Sequence, residues 1–257
     1  MKLIPVIDLL HGQVVRAVRG DRQSYRPIVS RLCDGSDPAT VARALCAHCA
    51  TRQLYVADLD ALQGRPAQVT VLRALLQAMP GLELWLDAGF ADRAAADALQ
   101  RALDVDEAQW VPVFGSESLA SREALAECFD AGRGGPGASG VLSLDRRDGR
   151  RLDVAGCWDT PAHWPTRVIV MTLERVGAGA GPDLQTLAEV RARAPGAFLV
   201  GAGGIRNAAD LDAARRAGAG AWLVASALHD GGLPRQAGAD GVVRSAGSGP
   251  ASPPDGG

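Results

Sequence analysis

Ala197-Phe198-Leu199-Val200-Gly201-Ala202-Gly203-Gly204-Ile205-Arg206-Asn207 places a strand, a turn and a helix start in immediate succession. The run 197–200 is apolar and of strand length, the glycines loosen the backbone, and Asn207 is a capping residue ahead of an alanine-rich segment. Strand, glycine turn and helix form the opening of a parallel β/α unit, because parallel strands need a crossover between them. The same alternation runs along the whole chain. Strands are expected at residues 4–9, 53–57, 82–87, 110–114, 140–144, 168–172, 197–200 and 221–224, each closing in a polar or glycine-rich turn. Their nearly continuous apolar character suits a sheet covered on both faces. Eight such units favour a single closed (β/α)8 TIM barrel in the α/β class over an open doubly wound sheet.

Helices are expected from about Pro38, Pro66, Ala91, Leu119, Pro182 and Asn207. Between the fifth and sixth strands only residues 146–167 remain, and Gly149, Gly156, Pro161 and Pro165 interrupt them, so the helix there should be shortened or absent. The barrel is expected to occupy residues 1–232, and the Gly/Pro/Ser/Ala-rich stretch 233–257 to be a disordered tail. The halves echo one another in order. Ile7-Asp8 matches Leu144-Asp145, Asp87-Ala88-Gly89-Phe90 matches Ala202-Gly203-Gly204-Ile205, and Val113-Phe114-Gly115-Ser116 matches Leu223-Val224-Ala225-Ser226. A twofold repeat of half-barrels follows.

The chain has 257 residues, of which 47% are apolar and 22% charged, enough to bury a large core without disulfides or metals. A net charge of -2 argues against nucleic acid or an anionic membrane as partner. Five irregularly spaced cysteines make no disulfide framework. Cys46, His48 and Cys49 are ligand types in a cluster, yet on a helix His48 points away from the two thiols and no second ligand pair follows, so no metal is expected. No apolar run is long enough for a membrane span, and residues 1–8 read as a strand rather than a signal peptide, so a cytoplasmic location is expected.

Active-site groups of such barrels gather at the C-terminal ends of the strands. Asp8 and Asp145 end the first and fifth strands, across the mouth from each other. They could divide acid and base work on a bound ligand, or each could brace a loop. Asp58 and Asp60 close the second strand; they could hold a divalent cation, but hydrogen bonding to loop amides or ligand hydroxyls needs no third ligand. Gly203 and Gly204 after the seventh strand suit a phosphate, as does Ser226 with Ala225 after the eighth. By the repeat, Gly115-Ser116 marks a second anion site, or else a tight turn with Ser116 as a cap. His11, His48, His163 and His229 end none of the expected strands, which disfavours a serine-hydrolase triad.

Ile4-Pro5-Val6-Ile7-Asp8-Leu9, Gly12-Gln13-Val14-Val15-Arg16, Gly20-Asp21, Asp58-Leu59-Asp60-Ala61, Ser143-Leu144-Asp145 and Gly203-Gly204-Ile205 resemble, in order, the ProFAR isomerases of histidine biosynthesis. Their superfamily includes the cyclase subunit of imidazole glycerol phosphate synthase. The resemblance implies a cofactor-free Amadori rearrangement of an aminoaldose phosphate to an aminoketose phosphate. Asp8 would be the general base and Asp145 the general acid. Gly115, Ser116, Gly203 and Gly204 would bind two phosphates, with Arg16, Gly89, Thr172, Ala225 and Ser226 as further substrate or phosphate contacts. The implied partner is a phosphorylated small molecule.

Three turns depart from that pattern. A glycine-rich Gly-Gly-Gly-Ile-Arg turn is replaced by Asp87-Ala88-Gly89-Phe90-Ala91, which brings a carboxylate towards a phosphate site. An Asp-Gly after the sixth strand is replaced by Val176-Gly177, and a Gly-Arg after the eighth by Ala225-Ser226. Together with residues 25–32 and 224–231, these departures resemble isomerase-like paralogues of bacteria with tetrahydromethanopterin-linked one-carbon metabolism. Three readings follow: a ProFAR isomerase, a paralogous enzyme on another phosphorylated intermediate, possible on a route to a pterin cofactor, and a non-catalytic phosphate-ligand-binding barrel.

Overall fold

The structure, a computed structural model, describes residues 1–19, 21, 24–129 and 140–237. Eight parallel strands close on themselves. They are β1 (Lys2–Leu10), β2 (Gln53–Asp58), β3 (Glu83–Asp87), β4 (Trp110–Gly115), β5 (Val141–Arg147), β6 (Arg167–Thr172), β7 (Phe198–Ala202) and β8 (Ala221–Val224). Each pairs with the next, and β8 returns to β1 through Lys2↔Ala221 to Pro5↔Val224, which seals the barrel and leaves it no edge strand.

Outside the strands lie α1 (Pro38–Cys49), α2 (Val69–Ala78), α3 (Arg93–Leu103), α4 (Arg122–Cys128), α5 (Leu184–Arg193), α6 (Ala208–Arg216) and the single turn α7 (Ser226–His229). Capping side chains set where most of them begin. Asp37, Asp92, Ser121, Asp183 and Asn207 each accept a hydrogen bond from an amide in the first turn. Several helices therefore start two or three residues later than their apolar pattern suggests.

As expected, no α-helix joins β5 to β6. Residues Arg150–Arg151 fold back antiparallel on the end of β5, and two 3-10 turns, Cys157–Asp159 and Pro161–His163, close that side. Asp153 ties the first of them by accepting from the amides of Cys157 (2.7 Å) and Trp158 (3.0 Å), and both side chains are buried. A strand at Gln13–Arg16 folds back on β1 in the same way. The matching extensions after β1 and β5 extend the half-barrel repeat beyond the eight strands.

Strand alternation divides the core in two. One set of side chains, among them Ile4, Tyr55, Trp85, Val113, Ile169 and Leu223, fills the barrel interior. The other, including Ile7, Leu54, Leu84, Leu142 and Trp222, packs outward beneath the helices. Glu83 and Arg167 meet at the bottom of the interior at 3.3 Å, where Glu83 also accepts from Trp85 Nε1 (2.8 Å) and Gln53 Nε2 (2.9 Å), and Arg167 stacks over the Trp85 ring.

Past α7, Leu233 is buried, its carbonyl bonds His48 Nε2 (3.0 Å), and the Gln236 amide donates to the His48 carbonyl (2.8 Å). The first residues of the expected tail therefore rest on α1, and residues 238–257 lie outside the described residues. Cys46 and Cys49 face the core, where burial pushes both thiols up to about 12. Among the described residues no group of His, Cys, Asp and Glu is arranged to hold a metal, and no helix is long and apolar enough to cross a membrane.

The floor cluster yields a stability test. Glu83→Ala strips Arg167 and Trp85 of a shared acceptor and should lower the unfolding free energy by about 1.5–3 kcal/mol in urea titrations. Glu83→Gln keeps an acceptor for Trp85 and should lose less.

Candidate active site

The inward file of each strand continues past the apolar interior into the mouth. On β1 it runs Ile4, Val6, Asp8; on β3 it runs Trp85, Asp87; on β5 it runs Val141, Ser143, Asp145, Arg147. All three aspartates line one cavity of about 430 Å³ at the C-terminal ends of the strands. The same parity places Tyr55 there from β2.

Asp145 is buried and heavily hydrogen-bonded. Its Oδ1 accepts from Ser143 Oγ (2.6 Å), its Oδ2 from the Glu117 amide (3.3 Å), and its own amide donates to Ser116 Oγ (2.9 Å). Burial, reinforced by the nearby charges of Glu117 and Asp87, pushes its carboxyl well above the usual range, against the opposing pull of the Ser143 bond. A carboxyl shifted in that direction holds its proton more tightly than an exposed aspartate does. Asp8, half-buried on the opposite side of the barrel, lines the same space. Tyr55 is buried between the acids, its hydroxyl donating to Asp87 Oδ2 (2.9 Å). Burial, then the charges of Asp87, Asp145 and Asp8, raise the phenol well above its ordinary value, so it stays a donor.

On the other side, Gly203 and Gly204 both adopt positive φ, +81° and +83°. A Cβ on Gly204 would lie 2.1 Å from the Gly181 carbonyl oxygen, so the turn admits no side chain there. Among the described residues, the amides of Gly203, Gly204 and Ser226 show no hydrogen-bond partner, and all three residues line the cavity with Ala225. Arg147, Arg175 and Arg206 also line it. Arg175 donates to the carbonyls of Ala180 (2.9 Å) and Gly181 (3.3 Å), and Arg206 grips Asp210 through Nε and Nη2, both at 2.8 Å.

The remaining sequence-derived residues serve the frame and leave the cavity wall. Ser116 is fully buried, donates to the Leu152 carbonyl (2.7 Å) and positions Asp145. Gly115 gives Asp145 room, since a Cβ there would meet Asp145 Oδ2 at 3.0 Å. The Ser116 amide donates to the Ser143 carbonyl (2.8 Å) and the Gly89 amide to Asp87 Oδ1 (3.1 Å), so the turns after β3 and β4 offer neither of these amides to an anion. Arg16 forms a two-point pair with Asp230 (2.6 and 3.0 Å), fastening the β1 extension to the end of α7. Thr172 donates to Asp183 (2.9 Å) at the start of α5. Asp58 is fully buried and accepts from the amides of Asp60, Ala61 and Gln68, while Asp60 pairs with Arg65 and the His11 amide. Both aspartates of that pair brace the loop after β2.

Comparison with known proteins gives the same frame. The profile of the family described as histidine biosynthesis protein matches residues 2–234. The chain belongs to that family. It is 28% identical to an uncharacterised protein of Methanocaldococcus jannaschii, across 90% of this chain and 94% of that one. It is 29% identical to the phosphoribosyl imidazole carboxamide isomerase (ProFAR isomerase) of Paracoccus denitrificans, across 91% of this chain and 96% of that enzyme. The isomerase of the same name from Stenotrophomonas maltophilia is also 29% identical, over 87% of this chain and 92% of its own.

Within this family frame, the sequence reading missed Tyr55, Glu117, Arg147, Arg175 and Arg206 as cavity-lining residues. Strand parity was a usable signal for Tyr55, two residues before Ala57, and for Arg147, two after Asp145. Glu117 and Arg206 lie on loops and Arg175 ends the 3-10 turn Leu173–Arg175, where no periodicity points to them.

The raised carboxyl of Asp145 makes stability depend on pH. An unfolded aspartate ionises near about 3.9. Above that pH the unfolded chain releases a proton that the folded chain keeps, so this group lowers stability as pH rises towards its folded pKa, and costs nothing below about 3.9. Asp145→Asn should therefore be more stable than the parent at pH 7.5 by urea titration, and the difference should shrink on approach to pH 4.

Proposed function

We propose that this protein is an aldose–ketose isomerase that carries out an Amadori-type rearrangement of a phosphorylated aminosugar. The observation that carries the reading is one cavity lined by two acids from opposite strands, with Asp145 buried and its carboxyl shifted towards the protonated form by its surroundings. Free amides on the β7 and β8 turns support a phosphate anchor at the other side of that cavity. Asp145 donates its proton to the ring oxygen as the C1–O bond breaks, leaving an open-chain iminium. Asp8 takes the C2 proton, and the electron pair of the C2–H bond moves to form an enolamine that tautomerises to the aminoketose. The residues keep proton donor and acceptor apart across the sugar, so neither neutralises the other. A non-catalytic barrel would gain nothing from a buried acid that lowers its stability.

A second reading, favoured by Asp87 and the engaged amide of Gly89, is a paralogous isomerase acting on a different phosphorylated intermediate, such as one leading to a tetrahydromethanopterin cofactor.

Purified protein should convert an N-aryl ribosylamine 5-phosphate to its aminoketose, followed by NMR of the sugar carbons. Asp8→Asn and Asp145→Asn should each slow this at least about 100-fold. Undiminished turnover in both variants would sink the acid–base assignment. ProFAR run beside it separates the two readings: turnover supports a histidine-pathway enzyme, and its absence supports the paralogue.

A further inference from the structure

The charged groups of the cavity are unevenly divided. The first half of the barrel contributes Asp8, Asp87 and Glu117, and among the described residues no lysine or arginine of that half lines the cavity. The second half contributes Asp145 and Asp230 but also Arg147, Arg175 and Arg206. The half-barrel repeat supplies two equivalent positions for an anion, after β3 and β4 and after β7 and β8. Only the latter pair keeps the amides of Gly203, Gly204 and Ser226 without partners among the described residues.

At the turn equivalent to Ala202-Gly203-Gly204, Asp87, the mate of Ala202, fills the anion role from within. Its Oδ1 takes the Gly89 amide at 3.1 Å and its Oδ2 takes the Tyr55 hydroxyl at 2.9 Å, so both donors are already engaged. One turn further, the Glu117 and Ser116 amides are engaged by Asp145 and the Ser143 carbonyl. A phosphate entering here would meet carboxylates at short range in a partly desolvated space, where like charges repel strongly.

We propose that Asp87 is a specificity-determining residue that excludes a second phosphate, so that the substrate carries one phosphate, held on the β7–β8 side, and an uncharged or cationic group rich in hydrogen-bond donors, hydroxyl or amine, on the β3–β4 side. The inference rests on the isomerase reading only for the use of the same cavity. Asp87 acts on ligand choice through charge and through its hold on Gly89 and Tyr55, whereas Asp8 and Asp145 act on protons.

The test is calorimetric titration of the full chain with ribose 5-phosphate and ribose 1,5-bisphosphate, ligands that differ by the second phosphate. The parent should bind the monophosphate at least about tenfold tighter, a difference of about 1.4 kcal/mol. Asp87→Asn, which keeps an acceptor for the Gly89 amide, should narrow the ratio through the bisphosphate arm alone, and Asp87→Gly should bring it to parity or reverse it. Melting temperatures confirm that each variant is folded, and the Asn variant carries the test if the Gly variant is not. Equal or tighter binding of the bisphosphate by the parent, an unchanged ratio in the folded variants, or no binding of either ligand overturns the proposal. Because the readout is binding, it is independent of turnover. A preserved ratio with fully active Asp8→Asn and Asp145→Asn would retire the isomerase reading and leave this one standing, and the reverse pattern would do the opposite.

Discussion

The two-residue period of eight strands closed into a ring is the constraint on which the rest depends. Once β8 pairs with β1, every second side chain must point into a space with no other exit than its two ends. Apolar residues fill the middle, the Glu83–Arg167 pair fills the floor, and whatever occupies the last inward position of each strand becomes the ceiling. Asp8, Asp87 and Asp145 stand at inward positions near the C-terminal ends of their strands, and they converge because the ring brings them together.

Convergence has an electrostatic consequence. Several carboxyls facing one small cavity cannot all ionise freely. In the most buried of them, Asp145, burial and the neighbouring charges favour the protonated form, and the surrounding frame fixes which oxygen receives which donor: Gly115 leaves room, Ser116 aligns the backbone, and Ser143 bonds the side chain. This shift is thus a product of packing as much as of sequence. Its cost in stability above acid pH makes Asp145 a candidate for chemistry.

Much of this was legible in the residues. The strands were visible as apolar runs with a turn at each end, and the missing β5–β6 helix was visible in Gly149, Gly156, Pro161 and Pro165. Asp8 and Asp145 were visible as strand-end acids. Helix starts were displaced because a single cap such as Ser121 decides the first turn, whereas apolar periodicity averages over several turns. The fate of Arg16 was not legible, because its partner Asp230 lies 214 residues away and only the closed ring brings the two together. Thr172, Gly115 and Ser116 stand next to the cavity, yet their hydrogen-bonding groups turn into the frame. Sequence position says that a residue is at the mouth; it does not say whether its amide or hydroxyl is already engaged.

That distinction explains how two halves with the same architecture come to differ. The repeat sets strand, turn and helix in the same places in both, including the antiparallel extensions after β1 and β5. Function depends on something the repeat does not fix, namely whether a turn amide faces the cavity with or without a partner. At Gly203-Gly204 the glycines present bare backbone to the cavity, with no acidic side chain of their own turn beside it. At Asp87-Ala88-Gly89 the chain supplies one, at the last residue of β3, and the amide of Gly89 is closed upon it. A single acidic side chain at an inward position therefore converts a symmetric pair of anion positions into a polarised cavity. The fold survives because strand pairing and outward packing are indifferent to it, and only the choice of ligand changes.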